Sequence, residues 1–202
     1  NKSSKNWVIK QHRDQFFKKS KVLGYRSRSA FKLIEINRKF KFIKKDSHLL
    51  DLGSSPGGWS QVASEIIKKG KILAVDIKSM EKIKDVKFLR EDFLTDTTCE
   101  NIKDYFENKI DVVLSDMAAN TTGNRNLDSI RTNLLCISAL KFSQKILKKK
   151  GNFVAKVFMG SEFLELKKIA NDAFKKVSFF KPESSRNESK ETYIYCDTLK
   201  AL

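Results

Sequence analysis

The stretch Asp51-Leu52-Gly53-Ser54-Ser55-Pro56-Gly57-Gly58-Trp59 decides the fold. Residues 47–53, SHLLDLG, make a short apolar run ending in glycine, and residues 61–69, QVASEIIKK, continue as an amphipathic helix after the turn. A strand that passes through glycines directly into a helix is the first unit of an open α/β sheet. Such sheets bind ligands at the carboxyl ends of their strands, where bare glycines such as Gly53 and Gly57 let a ligand approach the backbone. The spacing is G-x-x-x-G-G with Pro56 inside it, not G-x-G-x-x-G. That argues against a pyrophosphate-binding loop and for a nucleoside cofactor without a diphosphate, such as S-adenosylmethionine. Asp76 ends the next strand, 23 residues after Gly53, and a carboxylate there can accept hydrogen bonds from both ribose hydroxyls. Asp92 follows the third strand and is placed to reach an adenine amino group. The glycines alone could make only a turn; the two carboxylates favour a site.

Outward from this unit the pattern alternates. Strands are predicted at 71–77 (KILAVDI), 86–90 (VKFLR), 111–116 (DVVLSD) and 152–158 (NFVAKVF). Residues 127–149 show helical apolar spacing at Ile130, Leu134, Ile137 and Leu140, with Gly151 as the expected terminator, and 161–174 read as another helix. KVSFF and TYIYCDTL at the end read as two more strands joined by the polar loop PESSRNESKE. Repeated units of this length imply a parallel sheet covered on both faces, a three-layer α/β fold. Residues 1–202 are expected to form one domain, without repeats or an interdomain linker.

The charge is lopsided. Lys and Arg number 41 against 24 Asp and Glu, a formal +17. Residues 1–45 hold 15 basic residues and two acidic ones, a net +13, which leaves a nearly balanced body at +4. Phe16, Phe17, Tyr25 and Phe31 interleave with these charges, and bases can stack on such rings, although Phe31 is spaced with Ile34 to pack inward. The segment 1–45 is therefore expected to be a basic nucleic-acid-binding arm with the first helix, gripping phosphates through Lys18, Lys19, Lys21, Arg26 and Arg28. A merely solvated segment and an anionic membrane face are the alternatives. The longest charge-free run, residues 52–64, is Gly/Ser-rich and only 13 residues long, so no membrane span is expected. The start has no apolar stretch of signal-peptide type; it opens on Asn1 rather than Met, and further residues are expected before it. Cys99, Cys136 and Cys196 have unrelated spacings, with only His12 and His48 beside them. A disulfide framework or zinc site is therefore not expected, and a reducing, cytoplasmic setting is.

Two residues sit badly in their strands. Lys156 interrupts the apolar run of residues 153–158, where a charge is costly unless it lies at a functional end; Asp116 closes 111–116 at the end facing the cofactor crevice. Lys32 by spacing fits the exposed face of a helix, and Glu191 before the last strand is unremarkable by itself.

Taken in order, RSRSAFKL, DLGSSPGGWSQ, LSDMAANTTG, FVAKVF and SSRNESKETYI resemble the FtsJ/RrmJ family of ribose 2′-O-methyltransferases from about Gly24 to Ile194. The resemblance implies a Rossmann-like S-adenosylmethionine-dependent methyltransferase fold, mostly parallel, with a C-terminal antiparallel hairpin. It puts a catalytic tetrad on Lys32, Asp116, Lys156 and Glu191, and cofactor contacts on Gly57, Trp59, Asp76, Asp92 and Asp116. The implied substrate is ribosomal RNA, a uridine of 23S rRNA in the large subunit, with nothing demanding more than a monomer. Ala119 departs from the Pro of many relatives, and Ser54-Ser55 from their Ala-Ala or Ala-Ser. In this scheme neutral Lys156 is the general base. Burial, Lys32 and the cofactor's sulfur would lower its pKa, and Asp116 and Glu191 would raise it. Charge reversal at Arg26 and Arg28 is expected to weaken RNA binding but not cofactor binding; loss of both would mean that the arm helps build the fold. The rivals are 2′-O-methylation of tRNA or another RNA, and a noncatalytic RNA-binding assembly factor on the same scaffold. A nicotinamide dehydrogenase is disfavoured by the glycine spacing.

Overall fold

The computed structural model describes residues 14–160, 162–186 and 188–200. Lys2, Lys5, Lys10 and Arg13 of the arm lie outside them. Two helices come first, α1 (Gln15–Val22) and α2 (Ser29–Phe40), followed by β1 (Leu49–Leu52), α3 (Gly58–Ile66), β2 (Ile72–Val75) and β3 (Lys87–Leu89). Then come α4 (Asp96–Phe106), β4 (Ile110–Ser115), α5 (Arg125–Ile146), β5 (Leu147–Phe158), α6 (Phe163–Ala173), β6 (Phe174–Phe180) and β7 (Glu191–Leu199).

The apolar runs assemble one seven-stranded sheet in the order β3-β2-β1-β4-β5-β7-β6. β1 pairs in parallel with both β2 and β4, so the chain reverses its direction of travel across the sheet at that point, and a crevice opens at the strands' carboxyl ends. β7 runs antiparallel to both β5 and β6, as the hairpin expectation required. Strand alternation gives the sheet two apolar faces. Leu49, Ile72, Val112, Leu114 and Val154 pack against α2 and α3. Leu50, Leu73, Val113, Phe153 and Ala155 pack against α4, α5 and α6. α1 lies on α2 through Phe16 and Phe31, whose ring centroids are 5.6 Å apart. Among the described residues no helix is long and apolar enough to cross a membrane.

One expectation is corrected. Gly151 does not end the long helix: α5 stops at Ile146 and β5 begins at once, running through Gly151. A Cβ there would meet Leu147 Cδ2 and the Lys148 carbonyl at 2.9 Å, so the glycine serves close packing within the strand. α4 is an additional helix, amphipathic only through Thr98, Ile102 and Phe106, with Thr95 capping it by accepting from the Thr98 N–H.

Candidate active site

The crevice between β1 and β4 holds a cavity of about 290 Å³ whose lining includes Gly53, Asp76, Asp92 and Asp116. Gly53 has φ +73°, and a Cβ on it would come within 2.3 Å of Met117 Cγ; only glycine lets this loop lie against the end of β4. Asp76 orders the loop: its Oδ2 accepts from Ser55 N (2.9 Å) and its Oδ1 from Lys78 N (2.7 Å). Asp92 accepts from Leu94 N at 3.0 Å. Each carboxylate oxygen keeps a lone pair for a ligand. Apolar walls from Ile77, Phe93 and Leu135 complete a lining that suits a nucleoside: carboxylates for hydroxyls and amines, hydrocarbon for a ring system.

Gly57 and Trp59 do not line this cavity. Gly57 (φ +112°) packs the loop against Ile83, 2.8 Å from where its Cβ would be. The Trp59 indole is 2% exposed, donates to the Ser29 carbonyl at 2.9 Å and lies 5.6 Å from the Tyr193 ring, so its side chain is turned into the core. It joins α3 to α2 and β7.

A charged cluster adjoins the cavity through Asp116. In the β5–β7 register Lys156 faces Tyr193 and Phe158 faces Glu191, so alternation sends Lys156, Tyr193 and Glu191 to one side of the sheet. Lys156 Nζ is 3.0 Å from both Asp116 Oδ1 and the Asp116 carbonyl, and 4.0 Å from Glu191 Oε2. Lys32 reaches in from α2 to Glu191 Oε1 at 2.5 Å. The exposed-face reading of Lys32 is thereby overturned: its side chain is only 12% exposed, because α2 packs that turn over the end of β7. Tyr193, fully buried, donates to Asp116 Oδ1 (2.7 Å) and is 3.3 Å from Glu191 Oε1, and Ser185 Oγ also donates to Glu191, at 3.0 Å.

Burial and charge set the protonation states. Burial pulls the Lys156 ammonium down, but Asp116 and Glu191 outweigh it and raise its pKa above the ordinary value. Burial pushes the Glu191 carboxyl up, but Lys32 and Lys156 outweigh it and hold it below the usual range. The Tyr193 hydroxyl is driven far up by burial and by both carboxylates, so it stays a proton donor. Lys156 is thus a cation in the resting protein.

Residues 25–199 match the family described as FtsJ-like methyltransferase. The chain belongs to that family. It is 48% identical over 200 residues to ribosomal RNA large subunit methyltransferase E of Pelagibacter ubique, covering 99% of this chain and 98% of that one. The protein of the same name from Rickettsia akari is 46% identical over 95% of this chain and 87% of its own length. A crystal structure of a ribosomal RNA methyltransferase from Plasmodium falciparum superposes with a TM-score of 0.78 at 33% identity, covering 87% of this chain and 98% of the other. A Streptococcus mutans methyltransferase in complex with SAH shares the fold at a TM-score of 0.55 and 15% identity, over 82% of this chain and 97% of that one.

In this methyltransferase the expected RNA-contacting residues divide into two groups. Lys18, Lys19 and Lys21 are exposed on α1, with Lys19 Nζ 5.3 Å from the Phe31 ring centre and Lys21 Nζ 5.6 Å from that of Phe17. Arg26 and Arg28 instead turn inward. Arg26 donates to the carbonyls of Pro56 (3.2 Å), Glu81 (2.7 Å) and Lys82 (2.9 Å), which ties the arm to the cofactor-side loops. Arg28 pairs with Asp14 and donates to the Ser184 carbonyl. Tyr193, Ser185 and Met117 were not singled out from the sequence. For Tyr193 the available signal was its place two residues after Glu191 in a strand, on the same face.

Proposed function

We propose that this methyltransferase moves a methyl group from S-adenosylmethionine to the 2′-hydroxyl of a ribose in 23S rRNA of the large ribosomal subunit, at a uridine, acting as a cytoplasmic monomer. The observation that carries the reading is the buried Lys156 amine 3.0 Å from Asp116, at the boundary between the nucleoside-shaped cavity and the Lys32–Glu191 pair. The names of the relatives support large-subunit rRNA as the substrate. When bound, the cofactor supplies an electrophilic methyl on a positively charged sulfur. The chain's own residues do the rest. Gly53, Asp76 and Asp92 fix the nucleoside, and Asp116, on the shared wall, sets the distance between the cofactor and Lys156.

A ribose hydroxyl is a poor nucleophile until its proton leaves. Lys156 takes that proton at Nζ, which requires that its own be lost first, and Asp116 and Tyr193 hold the amine and its partner carboxylate in line. Lys32 and Glu191 place the ribose at the open side. Labelled methyl transfer to large subunits, naked 23S rRNA and tRNA tests the substrate. Transfer to large-subunit rRNA is expected; labelling of tRNA alone would refute the substrate assignment.

A further inference from the structure

We propose that Arg28 and Arg186 form a binding site for one backbone phosphate of the RNA beside the target ribose, and that the Asp14 carboxylate holds this site closed until RNA displaces it. The proposal rests on the 2′-O-methyltransferase reading above.

Asp14 is one of only two acidic residues in the first 45, and it is spent between two guanidiniums. Its Oδ2 pairs with Arg28 Nη1 and lies 3.7 Å from Arg186 Nε. Its Oδ1 caps α1, accepting from Phe16 N at 3.0 Å and Phe17 N at 3.2 Å. One carboxylate oxygen therefore serves two arginines. Among the described residues Arg28 Nε is buried with no hydrogen-bond partner, and so is the hydroxyl of Ser184, whose carbonyl accepts from Arg28. Burial first, and then Arg186, work against the charge of Arg28 and lower its pKa, while Glu191 and Glu188 favour the charge. Two guanidiniums, that of Arg28 with a buried unused donor, are better matched by a phosphate, which offers more acceptor oxygens than the single carboxylate now between them.

The place is right for the substrate. Arg28, the N-cap residue of α2, stands four residues before Lys32, one helical turn away on the same side. Ser185, next in the chain to Ser184, donates to Glu191 Oε1. The other acidic residue of the arm, Glu35, fixes the same loop by accepting from the backbone N–H groups of Glu183 (2.6 Å) and Ser184 (3.1 Å). The arginine pair thus abuts the Lys32–Glu191 end of the tetrad, where a phosphate flanking the reacting ribose must lie. Asp14 sits at the N-terminal edge of α1, so a local shift of this end uncovers the pair.

Asp14→Asn separates plug from cap, because Asn caps helices as well as Asp does but carries no charge. Dissociation constants for a large-subunit rRNA fragment are measured against salt for the unaltered protein, Asp14→Asn and Arg186→Ala, with S-adenosylmethionine affinity measured alongside. Asp14→Asn should bind RNA about fivefold or more tightly, with cofactor affinity unchanged. Arg186→Ala should bind more weakly, and its log K against log salt should be shallower by about one. Unchanged or weaker RNA binding by Asp14→Asn overturns the plug, and an unchanged salt slope for Arg186→Ala overturns the phosphate site. Ribose methylation by the unaltered protein is followed in the same preparation. Its absence fails the parent reading, whereas its presence with an unresponsive Asp14→Asn fails this proposal alone.

Discussion

Replacing Arg26 with alanine distinguishes an RNA contact from an internal clamp. The guanidinium donates to three main-chain carbonyls on two loops, those of Pro56, Glu81 and Lys82. Ser55, beside Pro56, donates from its backbone N–H to Asp76, so the clamp acts one step from the carboxylate proposed to hold the cofactor ribose. Alanine keeps the backbone bond from Arg26 N to Gln61 Oε1 (2.8 Å) and removes only the fork. A charged hydrogen bond is worth about 1.5–3 kcal/mol when sheltered, but water can reach all three carbonyls, so about 2 kcal/mol in total is reasonable. If that falls on the loop arrangement that binds ligand, S-adenosylmethionine affinity drops about 30-fold, and RNA methylation drops with it. Calorimetric titration of the variant with S-adenosylmethionine, beside RNA binding by the same preparation, is the assay. Cofactor affinity within about twofold of the unaltered protein, with RNA binding alone weakened, would refute the clamp and return Arg26 to the RNA-facing role first read from its charge.

Tyr193→Phe removes the donor shared by Asp116 and Glu191, each of which keeps a lysine partner. Thermal melts should show a loss of about 1–2 kcal/mol, and methyl transfer should fall about tenfold with cofactor affinity unchanged. Because the Lys156 pKa is raised, the amine is charged across neutral pH and its base form grows as pH increases. Thus kcat/KM for S-adenosylmethionine should climb through the alkaline range, and a plateau at about pH 7 would exclude Lys156 as the base in the free protein. Burial pushes the Asp51 carboxyl up to about 7, against its Ser60 hydrogen bond (2.6 Å) and reinforced by Asp116 and Asp76. The folded state therefore holds this proton more tightly than the unfolded state. That contribution to stability is complete below about pH 4 and is lost as pH rises to about 7. The melting temperature of Asp51→Asn should gain on that of the unaltered protein across this window; a constant difference would contradict the assignment.

The strand–glycine–helix unit at 47–66 was legible because one short segment carries its own apolar run, turn and amphipathic helix. The parallel order followed from the repetition of such units. α4 was not legible, since only Thr98, Ile102 and Phe106 of its eleven residues are buried, too few to mark an apolar face. The sequence LKKKG resembles a fraying helix end because its lysines are exposed, yet Leu147 already pairs with Ile110 and the extended chain runs on through an irregularity to Asn152, which pairs with Val112. Lys156 and Asp116 betrayed themselves by charge at a buried strand end. Lys32 did not, because the face of α2 that meets β7 is set by tertiary packing and not by spacing. Tyr193 required the β5–β7 register, and the inward turn of Arg26 and Arg28 required knowing which carbonyls and carboxylates the arm folds against.

In the proposed function the methyl group goes to a ribose oxygen under the control of Lys156. A 2′-O-methyl group blocks alkaline cleavage of the adjoining phosphodiester, since that reaction needs the free 2′-hydroxyl. Large-subunit rRNA labelled by the unaltered protein and by Lys156→Ala, then digested with alkali, tests the claim directly. Label is expected in a single alkali-resistant dinucleotide from the unaltered protein, and none from a Lys156→Ala variant that still binds S-adenosylmethionine. Label released in mononucleotides, or undiminished transfer by the variant, would contradict it.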